Sequence, residues 1–222
     1  MSSDAPLILG FDTSAPHCAA ALLRGTEILV QHQEDMARGQ AERLMPLLEE
    51  TLAEGGATWA DLNAVAVGIG PGNFTGIRIS VSAARGLALG LGVPAIGVSS
   101  LEAQAFGTAG VVVSSLDARR EGLYVQVFGT LTGSQPGHCT LDTLPPDIPA
   151  RAEPTCLGHR ADEVAALCAG TVATARYPVA EAITRVAATR LGRIDVPPPA
   201  PLYLREAAAA PSRDTPPALL DD

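Results

Sequence analysis

Gly70-Pro71-Gly72-Asn73-Phe74-Thr75-Gly76 joins an apolar run, Ala64 to Ile69, to a helical pattern that extends from Ile77 to Leu91. An apolar run, a glycine-rich turn and a long periodic segment in that order read as strand, turn and helix. Gly70, Gly72 and Gly76 permit positive φ or the close approach of another backbone, Pro71 fixes its own φ, and Thr75 is the expected cap of the helix. Free amide groups at that helix start form an arrangement that can hold an anion. Gly68, Gly70 and Gly72 make G-x-G-x-G, which departs from the dinucleotide pattern G-x-G-x-x-G, and no lysine follows as a P-loop requires. On its residues alone the turn reads as structural.

Outward from the turn, Leu7 to Phe11, His17 to Leu23 and Glu27 to Gln33 read as three strands of a meander, with turn signals at Ala15-Pro16 and Arg24-Gly25. A helix is expected from Gln40 to Glu54, with Ala41, Leu44, Met45, Leu48 and Leu52 on one face and Pro46 as a kink or a late start. After the glycine turn and its helix comes a short strand, Pro94 to Val98, so the first half runs β-β-β-α-β-α-β. A related pattern restarts near residue 111, with Val111 to Val113 leading to Asp117 and a second apolar run from Gly122 to Phe128. The recurrence suggests two ribonuclease-H-like lobes. The expected division is an N-terminal lobe at 1–102, a C-terminal lobe at 103–205 and a disordered tail at 206–222. Residues 132 to 158 read as loop, and Ala161 to Cys168 and Glu181 to Leu191 as helices.

Composition narrows the function. The 222 residues are 47% hydrophobic and 18% charged, enough to bury a core in one large domain or two small lobes. All 15 basic residues are arginine, so no lysine is present for Schiff-base chemistry or for phosphate binding. A net charge of −9 disfavours direct binding to a phosphate backbone without a basic partner or a local patch. No apolar run of about eighteen residues and no charged-then-apolar leader is seen, so a cytoplasmic protein with no membrane partner is expected. Cys18, Cys139, Cys156 and Cys168 include no C-x-x-C pair. Cys156-x-x-His159 with His138-Cys139 could offer zinc ligands, but scattered cysteines are more often inert, and no metal and no cofactor are expected.

Several segments together resemble a known family. Ile8-Leu9-Gly10-Phe11-Asp12-Thr13-Ser14, Glu42-Arg43-Leu44-Met45-Pro46, Gly70 to Arg78, Asp117-Ala118-Arg119 and Pro201-Leu202-Tyr203-Leu204-Arg205 follow, in order, the pattern of the TsaB family, also called YeaZ. A G-P-G-[SN]-F-T-G-x-R segment after an N-terminal D-T-S strand is its most specific part; the C-terminal half matches more loosely. The resemblance implies an α/β, actin/hexokinase-like (ASKHA, ribonuclease-H-like) two-lobed fold with mixed sheets. It also implies a supporting role in making threonylcarbamoyladenosine in tRNA. In that pathway a paralogous catalytic subunit, TsaD, transfers the threonylcarbamoyl group, helped by the ATPase TsaE.

The catalytic paralogue carries H-x-x-x-H after the strand that follows its glycine turn. Ser100 and Gln104 stand at those positions here, and neither side chain replaces an imidazole ligand. A family association with peptidase activity loses its physical basis for the same reason. Asp12 is followed by Thr13-Ser14-Ala15-Pro16, with no glycine to admit phosphates, so it reads as the cap of its own turn, and Asp117, followed by Ala118-Arg119, has no more support as a phosphate or magnesium residue. A stand-alone actin-like ATPase or phosphotransferase is the alternative reading.

In the second helix, Ile77, Val81, Ala84, Ala88 and Leu91 lie on one face and Ile79, Ala83, Gly86 and Gly90 roughly opposite, so both faces can be buried. The resemblance implies pairing through the two helices, with a TsaD-like chain or with a second copy. The expected contact residues are Leu44, Leu47, Leu48, Arg78, Ser82, Ala83, Arg85 and Gly86, beside the turn residues Gly70, Gly72, Asn73, Thr75 and Gly76. Contact with tRNA is expected to be indirect. Many relatives resemble His-Ser-Glu where this chain has Gln40-Ala41-Glu42.

Overall fold

A computed structural model describes residues 5–130, 134–144 and 153–205. The expected disordered tail at 206–222 lies outside them. Three strands, β1 (Leu7–Asp12), β2 (His17–Arg24) and β3 (Glu27–Asp35), form the meander, and α1 (Gln40–Glu54) follows. Next come β4 (Ala64–Gly68), α2 (Phe74–Leu91), β5 (Ala95–Val98) and a short α3 (Ser100–Ala105). The second half holds β6 (Val112–Asp117), β7 (Leu123–Phe128), β8 (Gly137–Cys139), β9 (Thr155–Gly158), α4 (Ala161–Cys168), β10 (Thr171–Ala173) and α5 (Val179–Arg190).

The first sheet has the order β3-β2-β1-β4-β5 and the second β8-β7-β6-β9-β10. In each, the first strand pairs antiparallel with the second and parallel with the fourth. The two halves therefore share one topology, which is the recurrence near residue 111 seen at the level of strand pairing. The chain has an α/β, actin/hexokinase-like two-lobed fold with mixed sheets.

Alternation along β1 sends its side chains to two different cores. Leu7, Leu9 and Phe11 pack with Leu44, Leu47, Leu48 and Leu52 of α1 and with Ala84 of α2, whereas Ile8 packs with Ala182, Ile183, Val186 and Ala187 of α5. The first sheet is thus covered on both faces, and β4 is buried at every position from Ala64 to Gly68. Since α5 closes one face of the N-terminal sheet, the division at residue 103 separates the two sheets but not their covering helices. In the second sheet, α4 places Ala161, Val164 and Ala165 on Val113, Leu123, Val125 and Cys156.

Several local expectations need correction. The helix after the glycine turn starts at Phe74, and its cap is Asn73 rather than Thr75: Asn73 Oδ1 accepts a hydrogen bond from Gly76 N at 3.0 Å. Within 132–158, read as loop, the chain makes β8 and β9, three- and four-residue strands too short for a periodic signal. For the same reason α3 and β10 escape a periodicity reading. Pro46 lies inside an uninterrupted α1 on its exposed side, where water can serve the carbonyl that lacks its usual N–H donor.

Among the described residues no helix is long and apolar enough to cross a membrane. All four cysteines are free, and Cys156 Sγ lies 3.6 Å from Cys168 Sγ. Burial pushes the Cys18 thiol up to about 11 and the Cys156 thiol up to about 12. At pH 8 roughly a thousandth or less of either is thiolate, the reactive form. Alkylation of the folded protein at that pH is expected to modify the half-buried Cys168 first and to spare Cys18 and Cys156 until denaturant is added. Peptide mass mapping reads this directly; early labelling of Cys18 would contradict the packing of β2.

Candidate functional site: an open helix face and an interlobe cleft

The glycine turn and the β1–β2 hairpin are built against each other. Asn73 N donates to Ser14 O at 2.6 Å, and Thr13 Oγ1 donates to Gly76 O at 2.7 Å. A Cβ on Gly72 would overlap the carbonyl oxygen of Ser14, and one on Gly76 the carbonyl oxygen of Thr13. The D-T-S strand end and the glycine turn are therefore two halves of one backbone contact, which accounts for their occurring together. These glycines serve the chain's own packing, in keeping with a structural turn.

Asp12 is fully buried at the base of this contact. Its Oδ2 accepts from Ser14 N at 3.0 Å and Ser14 Oγ at 2.9 Å, and His17 Nε2 lies 2.7 Å from the same oxygen. The carboxylate holds its turn, as an Asx cap does, and Oδ1 has no hydrogen-bond partner among the described residues. Asp117 plays the same part in the second lobe, accepting from Arg119 N at 2.6 Å. Ser100 and Gln104, one turn apart on α3, are both engaged. Ser100 Oγ is 3.3 Å from Ser14 Oγ. The Gln104 amide, with its nitrogen turned inward, donates to Ser114 Oγ at 2.7 Å, to Ser115 O at 3.2 Å and to Leu157 O at 3.3 Å. They stitch α3 to both lobes. Among the described residues no three His, Cys, Asp or Glu side chains converge as metal ligands would.

Between the lobes lies a cleft of about 1020 Å³, lined on one side by Asp12, Ser14 and the glycine turn and on the other by the β6–β7 hairpin. Sequence reasoning missed two of its features. Arg119, Arg120 and Glu121 stand in succession in the left-handed region, with φ of 61°, 50° and 62°. Three non-glycine residues in a row there cost on the order of 1 kcal/mol each. At the rim, the rings of Phe74 and Tyr203 stack with centroids 4.8 Å apart, and the Arg78 guanidinium lies 3.7 Å from the Phe74 centroid while its Nε donates to the Tyr203 hydroxyl at 2.9 Å. The Pro201 to Arg205 motif could have signalled this, since Tyr203 is its one aromatic residue, but nothing local says which helix it meets.

The expected contact residues on the helices divide into two groups. Leu44, Leu47 and Leu48 are at most 1% exposed in the lobe's own core, so they cannot touch a partner: α1 needs its apolar stripe to cover the sheet. Arg78 is exposed, with its guanidinium over Phe74 and its Nε bonded to Tyr203 of its own chain. Ala83 is half-buried against the same core as the leucines. Ser82, Arg85 and Gly86 are exposed, as are Ala41, Met45 and Pro46 on α1. Gln40, in the stretch that departs from many relatives, bonds back to Met36 O at 3.1 Å. Leu89, which the expected contacts omit, is 86% exposed, and ideal Cβ atoms on Gly86 and Gly90 would meet nothing within 4 Å. Among the described residues, then, α2 has one face closed by its own lobe and one with nothing over it.

Comparison with known proteins gives this geometry a context. A family model described as "TsaD: tRNA N6-adenosine threonylcarbamoyltransferase" matches residues 29–135. The "tRNA threonylcarbamoyladenosine biosynthesis protein TsaB" of Escherichia coli is 38% identical over 122 residues, 53% of this chain and 52% of that protein. The chain thus spans about half the length of the curated relatives it matches. In structure, YeaZ from Pseudomonas aeruginosa superposes with a TM-score of 0.69 at 25% identity. A second structure, described as an uncharacterized protein with similarity to peptidase YEAZ from Pseudomonas aeruginosa, does so with 0.75 at 27%; each match covers 90% of this chain and 100% of the other.

Proposed function

Because the chain belongs to the TsaB (YeaZ) family, we propose that it is a non-catalytic subunit that binds and activates a TsaD-like threonylcarbamoyltransferase. The reaction served is the N6-threonylcarbamoyladenosine modification of tRNA beside the anticodon, with a TsaE-like ATPase joining a larger complex. The chain meets tRNA indirectly, through its catalytic partner, and the same face serves a homodimer when the partner is absent.

The observation that carries this reading is the outward face of α2. A glycine inside a helix costs about 1 kcal/mol relative to alanine. Neither Gly86 nor Gly90 recovers that cost by packing against the described residues, since the space above each is open among them. Leu89 adds a large apolar group in water beside them. Small residues let another helix come close, and an exposed leucine gives it something to bury. Met45 and Pro46 of α1 are exposed as well and are the candidate contacts of the second helix.

The non-catalytic part of the proposal rests on Ser100 and Gln104, which occupy α3 with hydrogen bonds between the lobes and carry no ligand chemistry. The test is threonylcarbamoyl transfer to tRNA by the organism's own TsaD-like and TsaE-like proteins, with the adenylate supplied enzymatically, in reactions with and without this chain. Modification is expected to require it. Equal modification in its absence would leave the fold standing and remove the function.

A further inference from the structure

We propose that Cys156 and Cys168 form a thiol–disulfide exchange site on the second lobe, in which Cys168 takes up a small-molecule disulfide and Cys156 resolves it into an intramolecular bond. The two sulfurs lie 3.6 Å apart, one on β9 and the other on the last residue of α4. Cys168 is half-buried and Cys156 fully buried, so a reagent from solvent reaches Cys168 first. The Cys168 thiol donates to Val164 O at 3.1 Å, which leaves Cys156 as the donor in the contact between the sulfurs. Neither of the other cysteines competes. Cys18 belongs to the core of the first sheet, and Cys139 lies on β8, three strands from β9 and therefore about 14 Å away across the sheet.

Both sulfurs are carried on fixed backbone. Ala169 ends α4 in the left-handed region, with φ of 52°, where glycine is the usual residue, and its N–H closes the last turn on Ala165 O. Gly170 N donates to the same oxygen at 2.9 Å and Thr171 N to Pro154 O at 2.9 Å, so the chain turns from Cys168 straight back alongside β9. A Cβ on Gly170 would overlap Pro154 O and crowd Cys156 Sγ at 3.1 Å, so the missing side chain leaves room for that sulfur. Thiols placed in this way meet at an effective concentration that no free thiol reaches. Burial pushes the Cys156 thiol up to about 12, so the reduced pair gains little from ionisation, and a neutral disulfide suits the surrounding Val113, Val125, Val164 and Ala165. In the first step the Cys168 thiolate attacks one sulfur of the small disulfide, and the other sulfur leaves as a thiolate. Cys156 then gives up its proton and attacks the Cys168 sulfur; the second small thiolate leaves and is protonated. The protein loses a pair of hydrogens and the small disulfide is reduced to its thiols.

The experiment incubates the reduced full chain with glutathione disulfide under native conditions and follows it by intact mass, by peptide mapping without reductant and by thermal melting. The expected product links the peptides of Cys156 and Cys168 and leaves Cys18 and Cys139 as thiols. Closing this short loop is expected to raise the thermal midpoint by about 5–10 °C, and dithiothreitol to return it to the starting value. Cys156→Ser, which cannot resolve, is expected to accumulate the glutathione adduct on Cys168. Cys168→Ser, with the entry thiol gone, is expected to stay unmodified; it alters a half-buried residue at a helix end and keeps the proposal falsifiable should Cys156→Ser fail to fold. Parent protein that accumulates the Cys168 adduct without the cross-link would overturn the proposal. So would a chain that stays reduced in millimolar glutathione disulfide, a link through Cys18 or Cys139, or a Cys168→Ser protein modified at Cys156 as fast as the parent. The exchange needs no partner chain, so its outcome is independent of docking through α2.

Discussion

Gly76→Ala is expected to cost at least about 3 kcal/mol of folding stability, while Gly86→Ala, ten residues further along the same helix, is expected to gain about 0.5–1 kcal/mol. Both add one methyl group. At residue 76 it would be driven into the Thr13 carbonyl, which the hairpin cannot withdraw without losing the Thr13 Oγ1 to Gly76 O bond and the Asn73 N to Ser14 O bond. At residue 86 it would enter open space and only reduce the freedom of the unfolded chain. Urea denaturation of the two variants and the parent measures the difference. A Gly76→Ala protein as stable as the parent would mean that the glycine turn does not seat on Thr13 and Ser14 as described, and the account of the motif would fall with it.

Gly86→Arg is expected to leave the fold intact and to weaken binding to a TsaD-like partner by a few kcal/mol, roughly a hundredfold or more. Steric overlap and a buried unpaired charge act in the same direction at a helix seat of small residues. Among the described residues nothing meets that position, so the thermal midpoint serves as the internal control. Ala83→Arg is a poorer probe, because Ala83 also packs on the chain's own core and its loss would mix folding with docking. Calorimetric titration of the partner with parent and Gly86→Arg protein decides the matter. Unchanged affinity would place the contact elsewhere and remove the α2 face from the proposed interface.

The expected contacts Leu44, Leu47 and Leu48, buried in the lobe's own core, show where reading along the chain stops. A stripe at helical spacing says that a face will be buried, but is silent on whether the burying surface belongs to the same chain. Leu44, Leu47 and Leu48 face Leu7, Leu9 and Phe11, more than thirty residues away in sequence. Arg78 finds Tyr203 across 125 positions. The exposed positions Arg78, Ser82, Arg85 and Gly86 and the buried leucines look alike to local pattern, which carries no information on what covers them.

What the sequence by itself determined is what local physics controls. The strand-turn-helix order around Gly70 to Gly76, the meander from Leu7 to Gln33, the long helices and the recurrence after residue 111 all rest on periodicity and on the special backbone needs of glycine and proline, which act over a few residues. Even the identical order of the two sheets was foreshadowed by the repeated spacing. Only the tertiary structure decided that Asn73 caps α2, that α5 crosses back to close the N-terminal sheet, that Asp12 is taken up by Ser14 and His17, and that Arg119, Arg120, Arg205, Phe74 and Tyr203 line one cleft. Those outcomes depend on which residues from distant segments fill a given space first, and the remaining free surface, where a partner or ligand can act, is defined only after that packing is complete.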